Sequence, residues 1–152
     1  MMRIISFLIL ILIPLLSFAG SIIDESKMSS NNYFKGMSNT EIDSYCEAGH
    51  GGTIEQDFCA KRDFEKNDAK LNITYQKVVQ NLKNIDKDMT IKTHKVLPKL
   101  IKAQKLWIAY RDAECDSQYA MVGNGSMRNQ QLFDCKSELT KNREQELQKG
   151  YF

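Results

Sequence analysis

The sequence has few residues suited to acid–base catalysis near neutral pH. Only two histidines, His50 and His94, occur in 152 residues. Neither stands with a nucleophile or a carboxylate in a known catalytic layout. Carboxylate pairs such as Asp112 and Glu114 are present, but pairs of this kind occur on any helical protein. We therefore expect a protein that is not an enzyme, with no catalytic residues and no cofactor.

A strong excess of charge of either sign is also missing. Lys and Arg number 21 and Asp and Glu number 19, so the formal net charge is +2. A nucleic-acid-binding domain needs Lys and Arg clustered on one face. This balance excludes nucleic acid as an expected partner.

Long apolar runs are limited to one, near the first residue. Residues 4–16 are almost entirely apolar, the basic Arg3 precedes them, and small residues follow up to Ala19. This pattern predicts a signal peptide over residues 1–19, cleaved after Ala19. The run is too short to cross about 30 Å of hydrocarbon as a helix, and no lipid-attachment Cys follows it closely. We expect a periplasmic or secreted protein without a membrane anchor after cleavage.

Residues 20–45 lack a hydrophobic period. They are rich in Ser, Asn, Asp and Glu with scattered apolar residues. Such a composition predicts a flexible polar tail, with the folded domain spanning 46–152.

Four cysteines are present, and all follow the predicted signal peptide. An even number in an exported chain indicates two disulfides, for which three pairings are possible. We favour Cys46–Cys59 and Cys115–Cys135, because each pair is close in sequence and flanks an expected chain reversal. Each closed loop would stabilise the fold by about 3 kcal/mol. The alternative is a zinc site using Cys46, His50 and Cys59, which lacks a clear fourth ligand.

The longest uninterrupted segment predicts a helix from Thr53 to about Asn84. Thr53 as N-cap and Gln56 match a capping box, and no Pro or Gly follows within the segment. Apolar residues recur three or four apart, which is the spacing of one helix face. These residues are Phe64, Leu71, Tyr75, Val78, Leu82 and Ile85.

Two more helices follow a polar turn at residues 84–93. The second starts near Leu97, or earlier with a bend at Pro98, and ends at a glycine turn beginning at Gly123. Ser126 is the expected N-cap of the third. In this antiparallel hairpin Cys115 and Cys135 lie level, at equal rise from the turn. With no alternating strand pattern, the expected fold is all-α: a small disulfide-stapled bundle of about three main helices.

Polar and aromatic residues follow one another in a recognisable order: Cys46, Thr53, Gln56 and Cys59, then Asp68, Asn72 and Tyr75, then the stretch 104–115, then Cys135, Thr140 and Arg143. This order resembles the lysozyme inhibitor LprI-type family over about residues 46–149. The stretch 104–115 is the most specific part. The signature residues, for which we expect a structural role, are Asp68, Asn72, Tyr75, Gln104, Trp107, Tyr110, Arg111, Asp112 and Arg143. The resemblance implies a helical, disulfide-bonded domain of the periplasm or envelope whose partner is lysozyme or another envelope protein. The alternative function is an interaction or structural module.

We expect Trp107 and Tyr110 to pack in the core. We expect an ion network that fixes helix register, formed by Asp68, Arg111, Asp112 and Arg143. Asn72 and Gln104 are predicted to be amides hydrogen-bonded between helices.

An inhibitor of lysozyme needs only to block the cleft that holds the two catalytic carboxylates. The sequence offers two candidate protrusions, each tethered close to a cysteine. They are the Gly49–Gly52 loop and the Gly123–Ser126 turn.

Overall fold

A computed structural model describes residues 28–91 and 94–152. Within these ranges the chain forms five α-helices and no strand, which confirms the all-α class. None of these helices is both long and apolar enough to cross a membrane. The predicted signal peptide lies outside the described residues. The helices are α1 (Ser30–Tyr33), α2 (Asn39–Glu47), α3 (Thr53–Asp88), α4 (Leu97–Val122) and α5 (Arg128–Tyr151).

The first long helix, α3, begins one residue earlier than its sequence signal indicated. Gly52 is the N-cap, and the Glu55 carboxylate accepts a hydrogen bond from the Gly52 backbone N–H at 2.8 Å. The predicted N-cap, Thr53, is instead the first helical residue. Glu55 rather than Gln56 therefore satisfies the exposed backbone donor at this end.

A buried carboxylate shapes the connection from α3 to α4. Asp86 accepts hydrogen bonds from the backbone N–H groups of Val96 and Leu97, at 2.8 and 2.9 Å. These groups would otherwise have no intrahelical partner. Pro98 lies in the first turn of α4, where its missing N–H costs nothing, so the helix starts at Leu97 as predicted.

The connection from α4 to α5 is a short glycine turn. Gly123 ends α4 with φ +62°, a conformation that L residues adopt rarely, which matches the expected C-cap. The next helix begins at Arg128 with Met127 as N-cap, so the prediction of Ser126 as N-cap was wrong by one residue.

The largest contact of the bundle lies between α3 and α5, which run parallel. Three side-chain hydrogen bonds along this interface join residues that are 70 to 72 positions apart. This nearly constant spacing means that α3 and α5 point the same way and keep register over their length. The bonds are Asn129–Asp57, Asn67–Ser137 and Thr74–Glu144.

α4 runs antiparallel to both and packs mainly on α5. Arg111 bonds Thr140 and Gln104 bonds Arg143, so higher positions on α5 meet lower positions on α4. The main apolar core lies in the half of the bundle near the α3–α4 connection. It consists of Leu71, Val78, Leu82, Leu100 and Leu147. Ile85, predicted on the same stripe, is exposed.

Residues 28–45 are folded, which differs from the expected flexible tail, whose first residues, 20–27, lie outside the described ranges. α1 and α2 cover the first part of α3, where Phe34, Ile42 and Phe58 form a second buried cluster. Tyr33 stacks on Phe58 with ring centroids 4.0 Å apart. The prediction was wrong for residues 28–45, because these few aromatic and apolar side chains find a complementary face on α3.

Candidate functional site

Both glycine loops lie at the same end of the bundle. One precedes α3 and the other precedes α5, and those helices are parallel. The Asn129 side-chain amide donates to the Asp57 carboxylate at 3.1 Å, which ties the first turn of α5 to the second turn of α3. We call this surface, formed by residues 48–54 and 123–127, the two-loop end. The sequence predicted each loop separately. That the two loops form one surface follows only from the parallel packing of α3 and α5.

The first loop is held in one conformation by contacts on several sides. Gly51 has φ +90°, and an added Cβ would lie 2.5 Å from the Tyr45 hydroxyl oxygen, so a larger residue does not fit. The Gln56 amide donates to the His50 carbonyl at 2.6 Å. The Tyr33 hydroxyl donates to the Glu55 carboxylate at 2.7 Å and lowers the pKa of Glu55, which favours its charged form.

The second loop is a tight turn with exposed side chains. The Gly123 N–H donates to the Ala120 carbonyl and the Gly125 N–H donates to the Val122 carbonyl, at 3.1 and 3.2 Å. Met127, which follows the turn, is exposed, as is Ile54 beside the first loop. The two-loop end thus presents apolar side chains on a backbone fixed by hydrogen bonds.

Two disulfides brace this end. The structure contains the pairs that we favoured, Cys46–Cys59 and Cys115–Cys135, with Cα atoms 5.5 and 5.6 Å apart. Cys59 and Cys135 both lie within about 11 Å of the start of their helices. The zinc alternative is wrong, since Cys46 and Cys59 are bonded to each other. Nor do the described ranges hold any group of three His, Cys, Asp or Glu side chains that could bind a metal ion.

Three of the signature residues, Asp68, Arg111 and Asp112, meet at the centre of the bundle. The Arg111 side chain is only 8% exposed. Its guanidinium bonds Asp68 on α3 at 3.2 Å, Asp112 on α4 at 3.0 Å and the Thr140 hydroxyl on α5 at 3.2 Å. It also lies over the Phe64 ring. Arg111 therefore links all three long helices, as the predicted ion network required.

Arg143 belongs to a neighbouring group and not to that network. Its Nε donates to the Gln104 side-chain oxygen at 3.1 Å, and its Nη1 bonds Glu146 at 2.9 Å. Trp107 lies between the two groups, with the Arg111 and Arg143 guanidinium carbons 5.3 and 6.0 Å from its ring. The prediction for Gln104 as an interhelical amide is confirmed, whereas Arg143 was placed with the wrong partners.

Two other signature residues, Tyr110 and Asn72, differ from their predictions, and Tyr75 agrees with its place on the apolar stripe. Tyr110 is 55% exposed, so its predicted place in the core was wrong. The Asn72 amide donates to Asp68 at 3.0 Å within α3, so it orients that carboxylate instead of bridging helices. Tyr75 packs against the main core.

A polar network beside the first disulfide was not predicted. Arg62 is buried and donates to Asp43 at 2.9 Å, while Lys66 bonds the same oxygen at 2.6 Å. Both bonds lower the pKa of Asp43. The neighbouring open pocket of about 260 Å³ also contains Asp134, whose pKa is raised by partial desolvation and by the charge of Asp63. The sequence signal was hidden because Asp43 belonged to the presumed tail.

Comparison with known proteins gives this architecture a family. Residues 46–147 match the family described as Lysozyme inhibitor LprI. This chain belongs to the lysozyme inhibitor LprI family. A relative is the uncharacterized protein R02472 of Rhizobium meliloti (strain 1021), 36% identical over 97 residues that cover 62% of this chain and 70% of that protein. No solved structure matches the chain.

The LprI match contains both glycine loops, all four cysteines and every signature residue named above. α1 and most of α2 precede it. The family region therefore coincides with the three-helix bundle and its two-loop end, and α1 and α2 add a cover on one side of α3.

Proposed function

We propose that this protein binds a lysozyme and inhibits it, and that the two-loop end is the surface that makes the contact. The observation that carries the proposal is the LprI match over residues 46–147. Two disulfides support an export destination, because such bonds persist in oxidising compartments. We place the protein in the periplasm or outside the cell, where it would meet a lysozyme.

The geometry of the two-loop end suits the blocking of a cleft. Lysozymes hold their two catalytic carboxylates in a groove that binds the glycan. A protein that fills the groove must present a narrow, preorganised projection, since ordering a mobile loop on binding would weaken the affinity. Both loops are short, lie side by side and are braced by a disulfide, and they expose Ile54 and Met127 as apolar contact groups.

The decisive experiment is a turbidity assay on lysozyme-sensitive bacterial cells. The exported protein, purified with both disulfides formed, is titrated against several lysozymes. We expect the rate of lysis to fall with increasing protein concentration for at least one of them. An unchanged rate at micromolar protein against every lysozyme would overturn the proposed function.

Variants then test which surface acts. We expect Ile54→Glu and Met127→Glu each to raise the half-inhibitory concentration at least tenfold, because a charge would have to be buried against the lysozyme. The matched control is Ile73→Glu, an equally exposed position on α3 that lies about 30 Å along the helix from Thr53. Equal weakening by the control, or none by the two loop variants, would exclude the two-loop end as the contact.

A further inference from the structure

α4 carries apolar side chains on the side that faces away from the bundle. Its inner side holds Leu100, Arg111 and Cys115. On the other side Leu106, Tyr110 and Met121 are 62, 55 and 87% exposed. Together with exposed small residues these positions recur three or four apart and form one stripe. We call this stripe the outer face of α4: Ala103, Leu106, Tyr110, Ala113, Ser117 and Met121.

The charges along this face have opposite signs at its two ends. Lys102 and Lys105 flank the first half and are exposed, and Asp116 flanks the second half on the same side of the stripe. The Asp116 side chain is 68% exposed and lies 4.0 Å from the Lys136 ammonium on α5, so one carboxylate oxygen has a distant cation within the chain and most of the group remains open to solvent. Tyr110 stands at the middle of α4, which spans Leu97–Val122, and within two residues of the middle of the stripe.

We infer that the outer face of α4 pairs with the same face of a second copy of this chain, with the two helices antiparallel. A twofold axis at Tyr110 brings Lys102 and Lys105 of each copy against Asp116 of the other. Parallel pairing would instead place these groups on opposite sides of the seam, where neither lysine reaches the aspartate of the other copy. Charge complementarity therefore favours the antiparallel direction.

Shape supports the same arrangement. With Tyr110 at the axis, Leu106 of one copy meets Ala113 of the other, and Ala103 meets Ser117. Leu106 thus faces a small side chain, Ala103 and Ser117 are both small, and Tyr110 meets its own copy at the axis, so the helices can approach closely on either side of the tyrosine pair. Self-complementarity of this kind is the property of a twofold interface.

The size of the face sets the strength of the dimer. The stripe from Ala103 to Met121 is about 27 Å long. A single pair of helices of this length buries less than the roughly 1,200 Å² at the lower limit of stable interfaces, so we expect weak association that appears only at high protein concentration. Antiparallel pairing also directs the two two-loop ends away from each other, which, under the proposed function, leaves both free for lysozyme.

Sedimentation velocity of the oxidised protein from about 1 to 500 µM tests the inference. We expect a shift from monomer to dimer over this range, reduced at high salt because the flanking charges are screened. Leu106→Glu should abolish the shift, and Ile73→Glu, at a similarly exposed apolar position on α3, should leave it unchanged. A protein that stays monomeric throughout, or a Leu106→Glu variant that still dimerises, would overturn it.

A charge exchange tests the antiparallel direction and does not depend on lysozyme binding. Lys102→Glu alone and Asp116→Lys alone should each weaken self-association at least tenfold. An equimolar mixture of the two variants should form a heterodimer, since each altered charge then meets its opposite in the other chain. If the mixture associates no better than either variant by itself, the antiparallel pairing is wrong. The two-loop-end variants serve as controls and should dimerise normally.

Discussion

Arg111 is the residue on which the arrangement of the three long helices depends. Its guanidinium bonds one side chain on each helix and lies over the Trp107 ring. A buried cation that satisfies several partners fixes the relative positions of the elements that supply them. Loss of this group should therefore cost stability as well as register.

We expect Arg111→Met to lower the free energy of unfolding by about 2–4 kcal/mol. The substitution keeps apolar bulk but leaves the fully buried Thr140 hydroxyl without its donor. Arg111→Lys should cost about half as much, since an ammonium cannot bond three helices at once. Urea unfolding followed by circular dichroism measures both.

The control for this experiment is Lys141→Met, an exposed cation on α5. It should change the free energy of unfolding by less than about 0.5 kcal/mol. If Arg111→Met also changed the free energy of unfolding by less than about 0.5 kcal/mol, apolar packing alone would set the relative positions of the three long helices.

For single residues, the sequence predicted the partners of a charged side chain better than it predicted which aromatic side chains are buried. The pairing of Arg111 with Asp68 and Asp112 followed from the need of a buried cation for carboxylates. The position of Tyr110 did not follow, because α4 has apolar residues on several faces and periodicity cannot then say which face is covered. The apolar residues of α4 that the bundle does not cover form the exposed stripe on its outer face.

At the scale of the element, Asp86 joins α3 to α4. It is buried and accepts two backbone hydrogen bonds from the start of α4. Asp86→Ala should lower the free energy of unfolding by about 1–2 kcal/mol, the usual cost of a lost helix cap. Asp86→Asn retains one acceptor oxygen and should cost less. Thermal unfolding of the two variants orders these effects.

Asp88→Ala is the matched control, because Asp88 is exposed at the last position of α3. We expect no more than about 0.5 kcal/mol from it. If Asp86→Ala, Asp86→Asn and Asp88→Ala all had the same free energy of unfolding, the hydrogen bonds that Asp86 accepts would not stabilise the start of α4.

Long helices could be predicted because their periods repeat many times, whereas α2 could not. Nine residues give the apolar pattern little more than two turns, and only Ile42 is buried on it. A signal did exist. Ser38 and Glu41 form a capping box, in which each side chain bonds the other residue's backbone N–H. The polar composition around it led to the prediction of a tail.

For the whole molecule, the sequence could not show that α3 and α5 are parallel. The sequence predicted that α4 runs antiparallel to the helix on each side of it in the chain. It did not predict whether α3 and α5 touch each other. The structure makes that contact the largest in the bundle and joins it by hydrogen bonds from Asp57 to Glu144. Both loops and both disulfides consequently occupy one half of the bundle, and the main apolar core occupies the other.

We infer from this division that different interactions stabilise the two halves of the bundle. The half near the α3–α4 connection is held by its buried leucine and valine cluster. In the other half the Phe34, Ile42 and Phe58 cluster covers the start of α3. Between α4 and α5 the Cys115–Cys135 bond closes a loop of 20 residues, a constraint that stabilises by about 3 kcal/mol in the chain-entropy model. Regions with few buried apolar contacts open first when such a constraint is removed.

We therefore expect the double variant Cys115→Ala, Cys135→Ala to open locally. Amide hydrogen exchange should accelerate about 100-fold between residues 115 and 135, the equivalent of about 3 kcal/mol. Exchange at Val78, Leu82 and Leu147 should remain slow, because these residues lie in the core that the disulfide does not touch. The double variant Cys46→Ala, Cys59→Ala is the comparison, and its acceleration should appear in α2 and the first loop instead. Uniform acceleration through all three long helices in either variant would mean that the bundle opens as one cooperative unit and that the division into halves has no energetic basis.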